Sequence, residues 1–152
     1  MALFVPDVQR QADTDKNALG FLPASVYEDA ADSENLLVAV VPNSGLNKYS
    51  GHLLFGGRFP HGKIYQLYVT PEFRKKSVAR ALIDKLVEWM ERCNFLSISA
   101  RVAEDLPANV AWEALGFELA GVKTGGSSRK RMLNVRVFFF PPVSRREENE
   151  LR

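Results

Sequence analysis

The residues best suited to chemistry lie in one short stretch, Leu67-Tyr68-Val69-Thr70-Pro71-Glu72-Phe73-Arg74-Lys75-Lys76-Ser77-Val78-Ala79-Arg80. An apolar segment stops at Thr70-Pro71, three cations follow, and the small residues Ser77 and Ala79 open an amphipathic run. The first turn of a helix carries N–H groups without intrahelical acceptors and a partial positive charge. Small side chains let an anion reach those groups, and Arg74, Lys75 and Lys76 add full charges beside them. The chemistry on offer is capture of a phosphate-bearing ligand. The plainer use of the same cations is a solvated basic loop.

Such a loop needs a strand to end it on one side and a helix to begin it on the other. Residues 64–69 supply the strand. The helix begins near Lys76, where Val78, Ala79, Leu82, Ile83, Leu86, Val87, Trp89, Met90 and Cys93 share one face. Arg80, Asp84, Lys85, Glu88, Glu91 and Arg92 share the other. Cys93 therefore reads as a small core residue, with a reactive thiol as the alternative.

Upstream, residues 3–5 suggest a short strand and residues 8–32 two short helices, the second over 24–31. The apolar run 36–41 stops at Pro42-Asn43-Ser44-Gly45, and a second run, 52–55, leads into Gly56-Gly57. These two read as a hairpin. Downstream, 96–102 alternates with period two as a half-buried strand does. Residues 108–115 form a short helix closed by Gly116. Strands over 117–122 and 133–140 flank Gly125-Gly126-Ser127-Ser128, and residues 144–152 read as a frayed tail. The fold class is α/β, of the α+β mixed-sheet kind, in one domain spanning 1–152. The unit from 64 to 102 is expected to be a right-handed parallel crossover.

Composition narrows the classes. At 152 residues, 46% hydrophobic and 25% charged, the chain suits one globular domain. No apolar stretch reaches the roughly 20 residues that span a bilayer. The N-terminal stretch lacks a basic region followed by a long apolar core, so a cytoplasmic location is the expectation. One cysteine and two histidines, His52 and His61, leave no metal site of usual spacing. A net charge of +2 does not point to nucleic acid, and no nucleic-acid motif accompanies the clusters 74–76 and 129–131.

The segment LYVTPEFRKKSVARALIDKLVEW resembles the acetyl-CoA-binding segment of the GNAT acyltransferases, whose hallmark is Q/R-x-x-G-x-G/A. Here the pattern stands as Arg74-x-x-Ser77-x-Ala79. The ending Trp112-Glu113-Ala114-Leu115-Gly116-Phe117 is similar to the family's Tyr-Glu-Lys-Leu-Gly-Phe. Asp105-Leu106-Pro107-Ala108 stands where the family commonly shows Asn-x-x-Ala. The resemblance implies a GNAT-like fold, a central mixed sheet of about six to seven strands flanked by helices. It implies acetyl-CoA as cosubstrate and direct acetyl transfer to a primary amine. Backbone groups of Leu67, Tyr68 and Val69 would pair with the pantetheine arm. The N–H groups of Lys75, Lys76, Ser77, Val78, Ala79 and Arg80 would hold the pyrophosphate, with Arg74 in support. Asp105, Ala108 and Trp112 would line the thioester end.

Departures from the pattern shape the catalytic expectation. Ser77 replaces a glycine; the expectation is that the helix has begun there and serine is harmless, the alternative being a left-handed position where serine is strained. Trp112 replaces a tyrosine, and an indole N–H is no usable acid near neutral pH. A thiol of pKa about 8.5 leaves tolerably without one. An attacking amine must be neutral, so a base or water chain must take its proton. No carboxylate lies in 64–69, and Gln66 cannot serve; Glu104 is the candidate base by topology, with Asp105 beside it. Tyr68 is the second catalytic candidate, with Tyr65 and His61 behind it, and backbone N–H groups near Tyr68 and Val69 would hold the oxyanion. The alternative to an enzyme is a non-catalytic acyl-CoA-binding protein on the same fold. Basic residues Arg129 and Arg131 would attract an acidic acceptor or the CoA 3′-phosphate, and Phe138-Phe139-Phe140 offers a homodimer contact, strand burial in the monomer being the simpler account.

Overall fold

A computed structural model describes residues 6–8, 10, 22–43, 46–125 and 131–142. Its elements are α1 (Ala24–Asp32), β1 (Leu36–Asn43), β2 (Leu46–Arg58), β3 (His61–Val69), α2 (Val78–Arg92), β4 (Ser97–Ala103), α3 (Ala108–Ala114), β5 (Glu118–Thr124) and β6 (Met132–Phe139). One mixed sheet holds six strands in the order β1-β2-β3-β4-β6-β5. The α/β class is thus as expected. The expected strand over 3–5, the turn at Ser44-Gly45, most of the loop before β6 and the tail over 144–152 lie outside the described residues. No described helix is long and apolar enough to cross a membrane.

The chain forms two compact units, Met1–Gly56 with Ile64–Lys85, and Gly57–Lys63 with Leu86–Arg152. In the first, α1 buries Tyr27, Ala30 and Ala31, the i, i+3, i+4 spacing of a helical face, beside Val8, Leu36, Tyr49 and Leu54. β1 and β2 pair antiparallel, as the hairpin reading requires, but β2 extends well beyond 52–55. Val40 faces Tyr49 and Ala39 faces Gly51, so Ser50 is an extra residue in β2. That bulge has a large effect. Tyr49 and His52, three apart, would point to opposite faces of a regular strand. Here they sit opposite Val40 and Val38, on one face.

Both then join a buried polar chain. Gln66 Oε1 accepts the Tyr27 hydroxyl at 2.8 Å and lies 3.1 Å from His52 Nε2. A carbonyl oxygen only accepts, so Nε2 carries the proton. Burial holds the imidazole neutral, its pKa lowered to about 4 against the opposing effect of the Gln66 hydrogen bond. Nδ1 is therefore an acceptor, and the Tyr49 hydroxyl donates to it at 2.6 Å. Burial pushes the Tyr49 phenol well above its ordinary value, so it keeps its proton.

The second unit centres on β4, whose Ile98, Ala100, Val102 and Ala103 are buried. β6 pairs antiparallel with β4 on one side and β5 on the other. Phe117 is fully buried, edge-on to Trp112 at 5.0 Å and tilted against Phe138 at 5.7 Å. Gly116, at φ +91, closes α3 as expected, and Glu34 and Asn94 do the same after α1 and α2 from left-handed positions. Two residues expected on the buried face of α2 are exposed. Cys93 is exposed because it follows the last helical residue, where the chain turns through Asn94 so that the Phe95 N–H returns to Met90 O. Trp89 is 48% exposed and finds its packing sideways, against Phe95 at 6.1 Å.

The neutral His52 makes folding sensitive to acid. Its folded pKa lies below its unfolded value of about 6.5, so below that pH the unfolded chain takes up a proton the folded one refuses. Stability should fall as pH drops from about 6.5 to about 4, by up to about 3 kcal/mol. Urea unfolding at pH 7.5, 5.5 and 4.5 measures this. His52→Gln, though less stable throughout, should lose that part of the slope, and identical slopes would refute the assignment.

Candidate functional site

β3 alternates exposed and buried residues, which puts Gln66 and Tyr68 on its buried face. Its end is fixed by the bulge in β2. Ser50 Oγ donates to Ala39 O at 3.0 Å, while Ser50 O accepts the Thr70 N–H at 2.9 Å and its hydroxyl at 3.3 Å. Beside it, a Cβ on Gly51 would stand 2.5 Å from Tyr68 O, so only glycine permits this approach. The strand therefore stops at a defined point, Val69, two residues before Pro71.

Pro71–Phe73 form a turn of 3-10 helix, and Arg74 is extended. Its Nε donates to Val69 O at 3.0 Å, and the guanidinium lies 5.6 Å from the centre of the Tyr68 ring. Among the backbone groups of Leu67, Tyr68 and Val69 expected to pair with pantetheine, the Val69 carbonyl thus already accepts one bond from the chain itself. Phe73 is approached by two ammonium groups, Lys48 and Lys76, each 5.8 Å from its centre. Lys48 also pairs with Glu72 at 2.8 Å. These contacts anchor both shoulders of the loop.

Between the shoulders the backbone alternates in handedness. Lys75 stands at φ +61 and Ser77 at φ +64, with Lys76 outside that region. Alternation of this kind turns successive N–H groups toward one side, a concavity suited to anions. The Ala81 N–H donates to Ser77 O at 3.0 Å, so Ser77 is the last residue before α2. Val78 and Ala79 accordingly have no acceptor within the helix. The expectation that the helix includes Ser77 was wrong by this short interval. Serine here occupies the left-handed conformation that glycine adopts without cost, and Lys75 does the same.

The other expected residues belong to the second unit. Glu104 is exposed in the turn after β4, its N–H donating to Met132 O at 2.9 Å. Asp105 is exposed and takes both arms of Arg131, at 2.9 and 3.0 Å. That pairing, before any other influence, holds its carboxyl below the usual carboxylate range. Arg131, expected to attract an acidic group, is committed to Asp105; Arg129 lies outside the described residues. Ala108 opens α3, exposed, and Trp112 is buried against Phe117.

Sequence reasoning overlooked Asn109. Its Nδ2 donates to Ala103 O and Leu106 O at 2.9 and 3.0 Å, and its Oδ1 accepts from Asn134 and Arg136 at 2.9 and 3.1 Å. It thereby ties the end of β4, the start of α3 and the middle of β6. A helical residue seldom signals this from sequence, because its partners are remote in the chain. The pairing of His52 with Tyr49 was overlooked because the bulge aligns them, and that of Tyr27 because its acceptor Gln66 is remote in the chain.

With this geometry in view, the chain matches the acetyltransferase (GNAT) family over residues 7–117 and belongs to it. Solved structures share the fold. Ard1 from Thermoplasma volcanium superposes with a TM-score of 0.80 at 19% identity, covering 93% of this chain and 94% of that one. The NatC complex bound to Gag peptide and CoA gives 0.76 at 17%, covering 90% and 91%. The ribosomal-protein-S18-alanine N-acetyltransferase from Escherichia coli gives 0.68 at 15%, covering 91% and 89%. No sequence match is found among curated proteins.

The strain at Ser77 is measurable. Ser77→Gly should raise unfolding free energy by about 1 kcal/mol in urea. An unchanged or lower midpoint would show that serine is not strained there.

Proposed function

We propose that this protein is an N-acetyltransferase that takes its acetyl group from acetyl-CoA and delivers it to a primary amine. The observation that carries the reading is the loop of alternating handedness between β3 and α2, with Lys75 and Lys76 in it and first-turn amides behind it. Membership of the acetyltransferase family supports it. So does a neighbouring structure that holds CoA and a peptide.

Acetyl-CoA supplies, when bound, a thioester carbonyl open to attack by an amine nitrogen. The chain's own residues would do the following. Backbone amides of 75–80 receive the pyrophosphate, and Arg74, Lys75 and Lys76 neutralise it. Leu67, Tyr68 and Val69 offer their backbone to the pantetheine arm, the Val69 carbonyl keeping one lone pair beside the bond from Arg74. Asp105, Ala108 and Trp112 belong to the thioester end. Glu104 takes the amine proton: no ion pair engages it among the described residues, whereas Asp105 is locked to Arg131. Tyr68 is the second catalytic candidate, its buried ring fixed beneath the Arg74 guanidinium. The work of the site is then mainly positioning, with one proton acceptor.

Calorimetric titration of acetyl-CoA tests the cofactor assignment. Wild type should bind with micromolar affinity, and Arg74→Ala/Lys76→Ala should bind at least about tenfold more weakly. No binding by folded wild type would overturn the function. Thioester consumption with an amine present tests catalysis: Glu104→Gln should lower kcat by about 100-fold and leave acetyl-CoA affinity unchanged. Binding without turnover for any primary amine would instead establish the non-catalytic acyl-CoA-binding protein.

A further inference from the structure

Among the described residues β5 is the last strand of the sheet and pairs with β6 alone, so no described strand lies along its outer row of N–H and C=O groups. All its residues from Glu118 to Thr124 are exposed, among them Leu119 at 55% and Val122 at 48%. An edge of this length with apolar side chains is a template for another strand. What that strand should be follows from the register.

Leu119 faces Arg136, Gly121 faces Val135 and Val122 faces Asn134, so Ala120 is an extra residue. Arg136 and Asn134 are two apart on β6 and share a face. Leu119 and Val122 therefore share that face too, although their spacing of three would separate them in a regular strand. Glu118 and Lys123, opposite Val137 and Leu133, lie on the other face with Gly121. A two-fold axis through Gly121 then sets Leu119 against Val122 of a second copy on one face. On the other it sets Glu118 against Lys123, and each pairing occurs twice. Gly121 and Ala120, the small residues of the strand, fall at the axis, where two backbones meet closely; a Cβ on Gly121 would touch nothing in the monomer.

We infer that β5 is a self-complementary edge through which two copies of this chain pair antiparallel about Gly121. The charges favour a second copy as occupant. An edge guarded against its own kind sets like charges opposite each other, whereas here every charge on the strand meets its opposite. The interface is small, so an equilibrium with Kd of the order of tens of micromolar is expected. This inference stands apart from the proposed chemistry.

Sedimentation equilibrium on the full chain from low to high micromolar concentration tests it. Wild type should dimerise. Glu118→Lys and Lys123→Glu should each weaken the dimer about tenfold or more, because each reversal sets two like-charged pairs face to face. Glu118→Lys/Lys123→Glu should recover wild-type Kd to within about threefold. Leu119→Ser should weaken it by a factor that salt does not change, since both charge pairs remain, and thermal melts matching wild type ensure that each variant is folded. A wild type that stays monomeric at about 500 μM would overturn the proposal. So would a dimer indifferent to both single reversals, or a folded double variant that does not recover.

Discussion

One inserted residue in β2 carries much of the first unit. With Ser50 out of register, Tyr49 and His52 come to the same face, and His52 can reach Gln66 while Tyr49 reaches His52. The carbonyl of the same residue holds Thr70 by two hydrogen bonds and fixes where β3 ends. Gly51 lets Tyr68 O come close enough for this to happen. The position of the basic loop, the setting of Tyr68 and the composition of the polar core all descend from that bulge. Bulges re-aim side chains and end pairing, and this one does both within three residues.

The loop that follows is held against its own backbone preference. Two side-chain-bearing residues in the left-handed region cost of the order of 1 kcal/mol each, and such strain persists only where surrounding contacts over-determine it. Those contacts are visible here. Arg74 closes back on Val69 O, Phe73 is held between two ammonium groups, and Ser77 gives its carbonyl to the first bond of α2. The result is a row of backbone donors beside full positive charge, which is what a bound phosphate group requires.

The buried polar chain has a consequence for where protons can go. Tyr27, Gln66, His52 and Tyr49 satisfy one another while neutral, and burial keeps His52 and Tyr49 from changing charge near neutral pH. Neither of these two side chains is therefore open to a change of protonation near neutral pH. The carboxylates at the end of β4 are differently placed. Asp105 is paired with Arg131 through both oxygens, whereas no ion pair engages Glu104 among the described residues.

What the sequence determined by itself was local. Apolar periodicity gave α2 its buried Leu82, Ile83, Leu86 and Met90, and Gly116 marked the end of α3. The run from Leu67 to Arg80, with its cations and small residues, sufficed to identify both the family segment and the candidate anion site. Periodicity assumes that an element continues, so Cys93, just past the end of α2, and Ser77, just before its start, were misplaced. The shared faces of Tyr49 with His52 and of Leu119 with Val122 were not legible at all, because each pair straddles a bulge that no composition announces. Such slips depend on which strand lies opposite, as do the partners of Asn109 and Gln66. These are fixed only when segments distant in the chain are brought together, because a hydrogen bond is decided by distance in space and not by spacing in sequence.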